Sequence, residues 1–159
     1  MSMISPQVLA QVAAAHKAGQ KVVLVTGVFD LLHQEHRNFL EKAKAAGDFL
    51  LVCLESDARV KAMKGPDRPK QAQAVRAAAL QKLPYVDAVA ILPDDFASPA
   101  QHDALIKEVL PAILAVSSHS PHLDKKQAIL AKYGGNVQIV HQHNPEISTT
   151  LKIAQLKKH

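Results

Sequence analysis

A chain of 159 residues with a formal charge of +5, 48% hydrophobic and 21% charged residues has an ordinary globular make-up, which excludes intrinsic disorder and bounds it to one domain. Two Tyr, four Phe and no Trp leave an aliphatic core and argue against a single-strand nucleic-acid binder, which needs aromatic stacking platforms. With one Cys, no run of about 18 apolar residues and no signal-peptide pattern, the expectation is a cytoplasmic protein with no disulfide and neither membrane nor nucleic acid as partner.

The positive balance fits either a phosphate-rich ligand or a basic surface, to which Lys157, Lys158 and His159 contribute. Along the chain, Val8, Leu9, Val12 and Ala15 recur at helical spacing over 6–18, and Gly19 stops the run. We expect this N-terminal helix (within 1–20) to pack on the domain. A β-branched run at 22–25 predicts a buried strand, followed by a turn at Thr26-Gly27. A helical pattern spans 33–46, with Phe39, Leu40 and Ala43 on one face and Gly47 at its end. Residues 49–54 predict a second strand, in which Cys53 reads as a buried thiol. After a short helix come a helix at 72–82, a strand at 88–92, a helix at 101–109 and a strand at 112–116. A helix at 122–133, a strand at 137–140 and a helix at 148–156 complete the pattern.

Five short apolar strands separated by helices predict an α/β fold. The form expected is a single-domain, Rossmann-like, doubly wound parallel sheet over 1–159, with helices on both faces. Ligands of such sheets lie beyond the carboxyl ends of the strands, where strand order reverses.

The segment after the first strand carries the most chemistry. Gly27 permits a sharp turn and close approach of Val28, Phe29 and Asp30 to a ligand. His33 and His36 are three apart at a helix start, so they share a face next to unpaired N–H groups and a positive dipole end. Such a pair suits phosphate oxygens and the charge that develops on them. It also fits surface histidines, or a fragment of a metal site with Glu35. Asp30 fits turn orientation or helix capping equally.

The segment 26–36 resembles the G-x-F-D-x-x-H-x-G-H signature of the cytidylyltransferase-like nucleotidyltransferases, through Gly27, Phe29, Asp30, His33 and His36. The segments 55–57, 64–69 and 85–89, together with Arg76, are similar to parts of the bacterial heptose-phosphate adenylyltransferases. Ile147, Ser148 and Thr149 resemble the I-S-T-T signature shared with the glycerol-phosphate cytidylyltransferases. The resemblance implies transfer of an adenylyl or, second, a cytidylyl group from a nucleoside triphosphate to a sugar- or polyol-phosphate, with pyrophosphate release. It implies Mg²⁺ accompanying the triphosphate, no protein-held metal, and a homodimer. His33, His36 and Lys64 take the catalytic roles. Gly27 to Asp30, Ser117, His119 and Ile147 to Thr149 bind the nucleotide, and Arg68 and Arg76 bind the substrate, although Arg76 on its helix fits an ion pair as well.

The pattern breaks at two places. Glu35 stands where the family has a glycine between the histidines, which puts an anion beside the expected triphosphate unless it points away, pairs with a cation or, as a lesser alternative, sits near Mg²⁺ and assists. The turn 117–119 is Ser-Ser-His in place of a glycine- and aspartate-containing turn. These departures support an alternative, a non-catalytic relative that binds a nucleotide or metabolite or serves as an interaction module. His141 and His143 fall where cytidylyltransferases carry a basic residue, and fit exposed loop histidines as well.

Overall fold

Strands with apolar side chains on both faces need cover on both, and the chain supplies it with a parallel sheet between two layers of helices. The computed structural model describes residues 2–142. The strands are β1 (Val22–Gly27), β2 (Phe49–Leu54), β3 (Ala88–Ile91), β4 (Ile113–Ser117) and β5 (Asn136–His141). They stand in the order β3-β2-β1-β4-β5, all parallel, with β1 at the centre. The helices are α1 (Pro6–Lys17), α2 (Gln34–Ala45), α3 (Asp57–Lys64), α4 (Gln73–Gln81), α5 (Pro99–Val109) and α6 (Leu123–Lys132). The expected doubly wound α/β architecture is therefore present. The helix expected at 148–156 lies outside the described residues.

Strand side chains divide between two cores. Val22, Leu24, Leu51 and Cys53 pack under α1, α5 and α6, whereas Val23, Val25, Leu50 and Val52 pack under α2 and α4. Val8, Val12 and Ala15 seat α1 in the first core. β5 is an edge strand with no fully buried residue, which is why its hydrophobic signal is the weakest of the five.

Most boundary differences from the sequence reading have local causes. His33, Ala72 and His122 are caps, outside the helices they introduce. α5 begins at Pro99, earlier than expected, because Ser98 and Gln101 form a capping box with proline at the first helical position. β1 continues through Thr26 and Gly27, which pair with Cys53 and Leu54. Between β1 and β4 the paired residues are Val23–Ile113 and Leu24–Leu114. Beyond them no β1–β4 pairing continues, and this is the carboxyl edge where strand order reverses, the place of the ligand crevice in sheets of this kind. No helix among the described residues is long and apolar enough to cross a membrane.

Candidate active site

The chain leaves β1 through Val28 to Leu32 and enters α2 at His33. Phe29 and Leu31 both hold left-handed backbone, with φ of 50° and 54°. Each costs an L-residue about 1–2 kcal/mol, so the loop must be held from outside. Asp30 does this. Its carboxylate accepts from the backbone N–H of Lys70 (2.7 Å) and Gln71 (3.0 Å) and from Arg68 Nε (3.3 Å). The Leu31 N–H donates to Gln71 Oε1 at 3.3 Å. Asp30 thus orients the turn, one of its two expected roles; the cap of α2 is His33, which corrects the other. Gly27 is needed for packing: a Cβ there would meet the Phe29 ring at 2.7 Å.

The histidine rings stack, with centroids 3.8 Å apart and planes 18° from parallel, and His36 meets Phe29 edge-on at 5.4 Å. His33 is buried and His36 half-buried. The backbone N–H of His33 donates to His36 Nδ1 at 3.3 Å. In the neutral ring the proton then sits on Nε2, which makes that atom a donor. Glu35 lies between them in sequence, but its carboxylate reaches β5, where Oε2 is 2.5 Å from His141 Nε2. Lys42 Nζ stands 3.0 Å from the other ring nitrogen of His141. The sequence condition for tolerating Glu35, a partner that draws it aside, is met by a residue 106 positions away.

Lys64 ends α3, where burial, with Arg68 adding to it, holds its ammonium below the usual lysine range; Asp30 opposes the shift. Arg68 is buried, and its Nη2 has no partner among the described residues. Arg76 is fully buried. Its guanidinium donates to Gln71 O (3.0 Å), Val28 O (3.0 Å), Glu55 O (2.9 Å) and Asp57 Oδ1 (2.8 Å). Four of its five donors are spent on the chain itself, so the geometry gives Arg76 the part of a clamp on the ends of β1 and β2. It does not present an open face to a substrate.

Ser117 ends β4 at a register shift opposite His141, and the Ser118 N–H donates to His141 O at 2.9 Å. The turn is closed by Ser120 N–H to Ser117 O at 3.1 Å, which leaves Ser118 and His119 exposed at the crevice. His143, Ile147, Ser148 and Thr149 lie outside the described residues. The structure therefore brings Gly27 to Asp30, His33, His36, Lys64 and Arg68 to one edge, over β1 and β2, and Ser117 to His119 to the neighbouring end of β4.

Gln71 and Lys126 escaped the sequence reading, and Glu55 entered it only within the segment 55–57, with no role of its own. Gln71 bonds the strained loop. Glu55 ends β2 with its carboxyl pushed up by burial, although Arg59 and Arg76 oppose the shift, and Oε2 has no partner among the described residues. Lys126 lines a small apolar cavity between β1, β4, α5 and α6, with its Nζ donating to Ser120 Oγ at 2.8 Å. The position of Glu55 at a strand's carboxyl end was the available signal; Lys126 had none. Burial pushes the Cys53 thiol up, as befits an inert strand residue.

A profile of the family described as Cytidylyltransferase-like matches residues 24–155. The bifunctional protein HldE of Geobacter metallireducens is 39% identical over 134 residues, which cover 83% of this chain and 26% of that protein. HldE of Nitratiruptor sp. is 46% identical over 99 residues, 62% of this chain and 20% of that one. The chain thus spans a fifth to a quarter of the length of these curated relatives. Among solved structures, a lipopolysaccharide core biosynthesis protein from Thermoplasma volcanium superposes with a TM-score of 0.64 at 26% identity, over 79% of this chain and 98% of that one. Because the family match takes in the strained loop, the paired histidines and every later strand, this chain belongs to the cytidylyltransferase-like family of nucleotidyltransferases.

Proposed function

We propose that the chain transfers an adenylyl group from ATP, or second a cytidylyl group from CTP, to a sugar- or polyol-phosphate and releases pyrophosphate. The observation that carries this reading is the stacked His33–His36 pair at the start of α2, beside the crevice where strand order reverses. A phosphate oxygen of the acceptor attacks the α-phosphorus in line; the new P–O bond forms as the bond to the β-phosphate oxygen breaks. A phosphate dianion needs no base, so the site's work is positioning and charge stabilisation. His36 Nε2–H, His33 and Lys64 stabilise the departing pyrophosphate, and Arg68 Nη2 is available to the acceptor phosphate.

Among the described residues no three His, Cys, Asp or Glu are placed to hold a metal ion, and Asp30 and Glu35 are engaged within the chain. This donor set fits Mg²⁺ that arrives on the triphosphate and keeps water and phosphate ligands, where it would neutralise phosphate charge. Likeness of 64–69 and 85–89 to adenylyltransferases supports ATP, and the lipopolysaccharide core biosynthesis protein among the similar structures supports a sugar-phosphate acceptor. The binding-module alternative loses support where Glu35 is drawn to His141 and retains it at the Ser117–His119 turn.

The test is the shift in melting temperature with ATP, CTP, GTP and UTP, with and without Mg²⁺, followed by pyrophosphate release from phosphorylated sugars. A nucleotide at 100 times its dissociation constant adds about 2.7 kcal/mol, or roughly 5–10 °C for a chain of this size. A selective, Mg²⁺-dependent rise is expected; no shift with any of the four at millimolar concentration overturns the reading. The homodimer implied by the resemblance is expected to appear in sedimentation equilibrium, and a monomer at all concentrations would remove it.

A further inference from the structure

The first turn of α2 holds a contradiction: helix N–H groups and two imidazoles arranged for an anion, with a carboxylate among them. The contacts of Glu35 resolve it. Glu35 and Lys42 lie two turns apart on α2, and His141 of β5 sits between them, with one ring nitrogen 2.5 Å from the carboxylate and the other 3.0 Å from the ammonium. One neutral ring satisfies both contacts: Nδ1 accepts from Lys42 and Nε2–H donates to Glu35. Phe39 packs on the ring edge-on at 6.4 Å, and both side chains of the Glu35–His141 pair are largely buried. The backbone of His141 is fixed as well, because its carbonyl accepts from Ser118.

We propose that His141 is a positioning residue for the nucleotide site: through the Lys42–His141–Glu35 chain it turns the Glu35 carboxylate toward β5 and balances its charge, so that a triphosphate can occupy the face bearing His33 and His36. The inference rests on the nucleotidyl-transfer reading and deepens it. His141 acts through Glu35, the residue its ring contacts. Without the ring, the carboxylate is free to swing toward the helix start, and it repels the phosphates that the helix start attracts.

The mechanism has a signature that a merely structural role lacks: the effect of His141 depends on the charge of Glu35. Calorimetric binding of MgATP and of inorganic tripolyphosphate, which has no base to recognise, is measured for the wild-type chain, His141→Ala, Glu35→Gln and the double variant. Melting temperatures are recorded alongside. His141→Ala is expected to weaken both ligands on the order of tenfold, and the double variant to bind about as well as Glu35→Gln alone. In turnover the loss falls on KM for the triphosphate and leaves kcat nearly constant. His141→Gln, which can still donate to Glu35, is expected to recover much of the affinity and guards against an alanine variant that folds poorly. Equal losses in both Glu35 backgrounds, or no loss in either, overturn the inference while leaving the function standing. A wild-type chain that binds neither ligand removes the function and the inference together.

Discussion

One added methyl at Gly27 would sit 2.7 and 3.1 Å from two carbons of the Phe29 ring, and that ring is the edge against which His36 packs. Gly27→Ala is therefore expected to displace Phe29 and disturb the histidine pair, at about 1–3 kcal/mol of stability. Urea unfolding measures the cost and calorimetry the accompanying loss of ATP affinity. ATP affinity retained at full strength would show that His36 is placed independently of Phe29. The sequence located Gly27 but suggested a different reason for it, close approach of backbone to ligand. The structure adds a requirement from a side chain two residues on, whose left-handed backbone folds it back over the glycine. That conformation could not be read locally, because what imposes it is Asp30, bonded to a segment 40 residues later.

Among the elements, β1, β2 and the segment leading into α4 are joined by one side chain. Arg76 on α4 gives hydrogen bonds to carbonyls at 28, 55 and 71 and to the Asp57 carboxylate at the start of α3. Arg76→Met is expected to leave those carbonyls without donors and to cost about 3 kcal/mol or more. It should also lower kcat/KM, because the strained loop begins at Val28. Chemical denaturation and pyrophosphate-release kinetics check the two effects; normal kinetics in a destabilised variant would confine Arg76 to stability. Strands β1, β2 and β4 were legible from their unbroken apolar runs, and the helices from apolar spacing and caps. The sequence allowed Arg76 a substrate contact or an ion pair, and the structure shows the ion pair with Asp57; its three carbonyl partners were not legible, since contacts on separate segments leave no periodic trace.

For the molecule as a whole, two shifted groups predict how pH acts. Lys64 has a folded value below its ordinary one, so its charge opposes folding at neutral pH, and the penalty fades as pH rises through that lowered value toward the ordinary one. Bound phosphates favour the charged form. ATP affinity is thus expected to fall as pH rises from neutral toward about 10, and Lys64→Met to flatten the profile. A slope unchanged in that variant would assign it to another group.

Glu55 runs the other way. Its folded value is raised, so its penalty is absent below the ordinary carboxylate range and complete above the raised value. Glu55→Gln should gain stability relative to wild type between about pH 4 and 7, read from urea midpoints. A constant difference across that range would show the carboxyl to be adequately solvated. Neither shift was legible in the sequence, because it depends on which groups the fold places beside each one: Arg59 and Arg76 near Glu55, Arg68 and Asp30 near Lys64.

The network that holds the site is assembled from distant parts of the chain: Asp30 bonds residues 40 and 41 positions away, and Glu35 meets a ring 106 positions away. Contacts of such span close late, after local helices and neighbouring strands have formed. Refolding should therefore show two clocks. Far-ultraviolet signal from local helices recovers first, while burial of the cores, which needs Val23 paired with Ile113, and the capacity to capture triphosphate, which needs β5 docked against α2, return in a slower step. A chain interrupted in the turn after β4 would be expected to keep much of its helical content and lose its ligand.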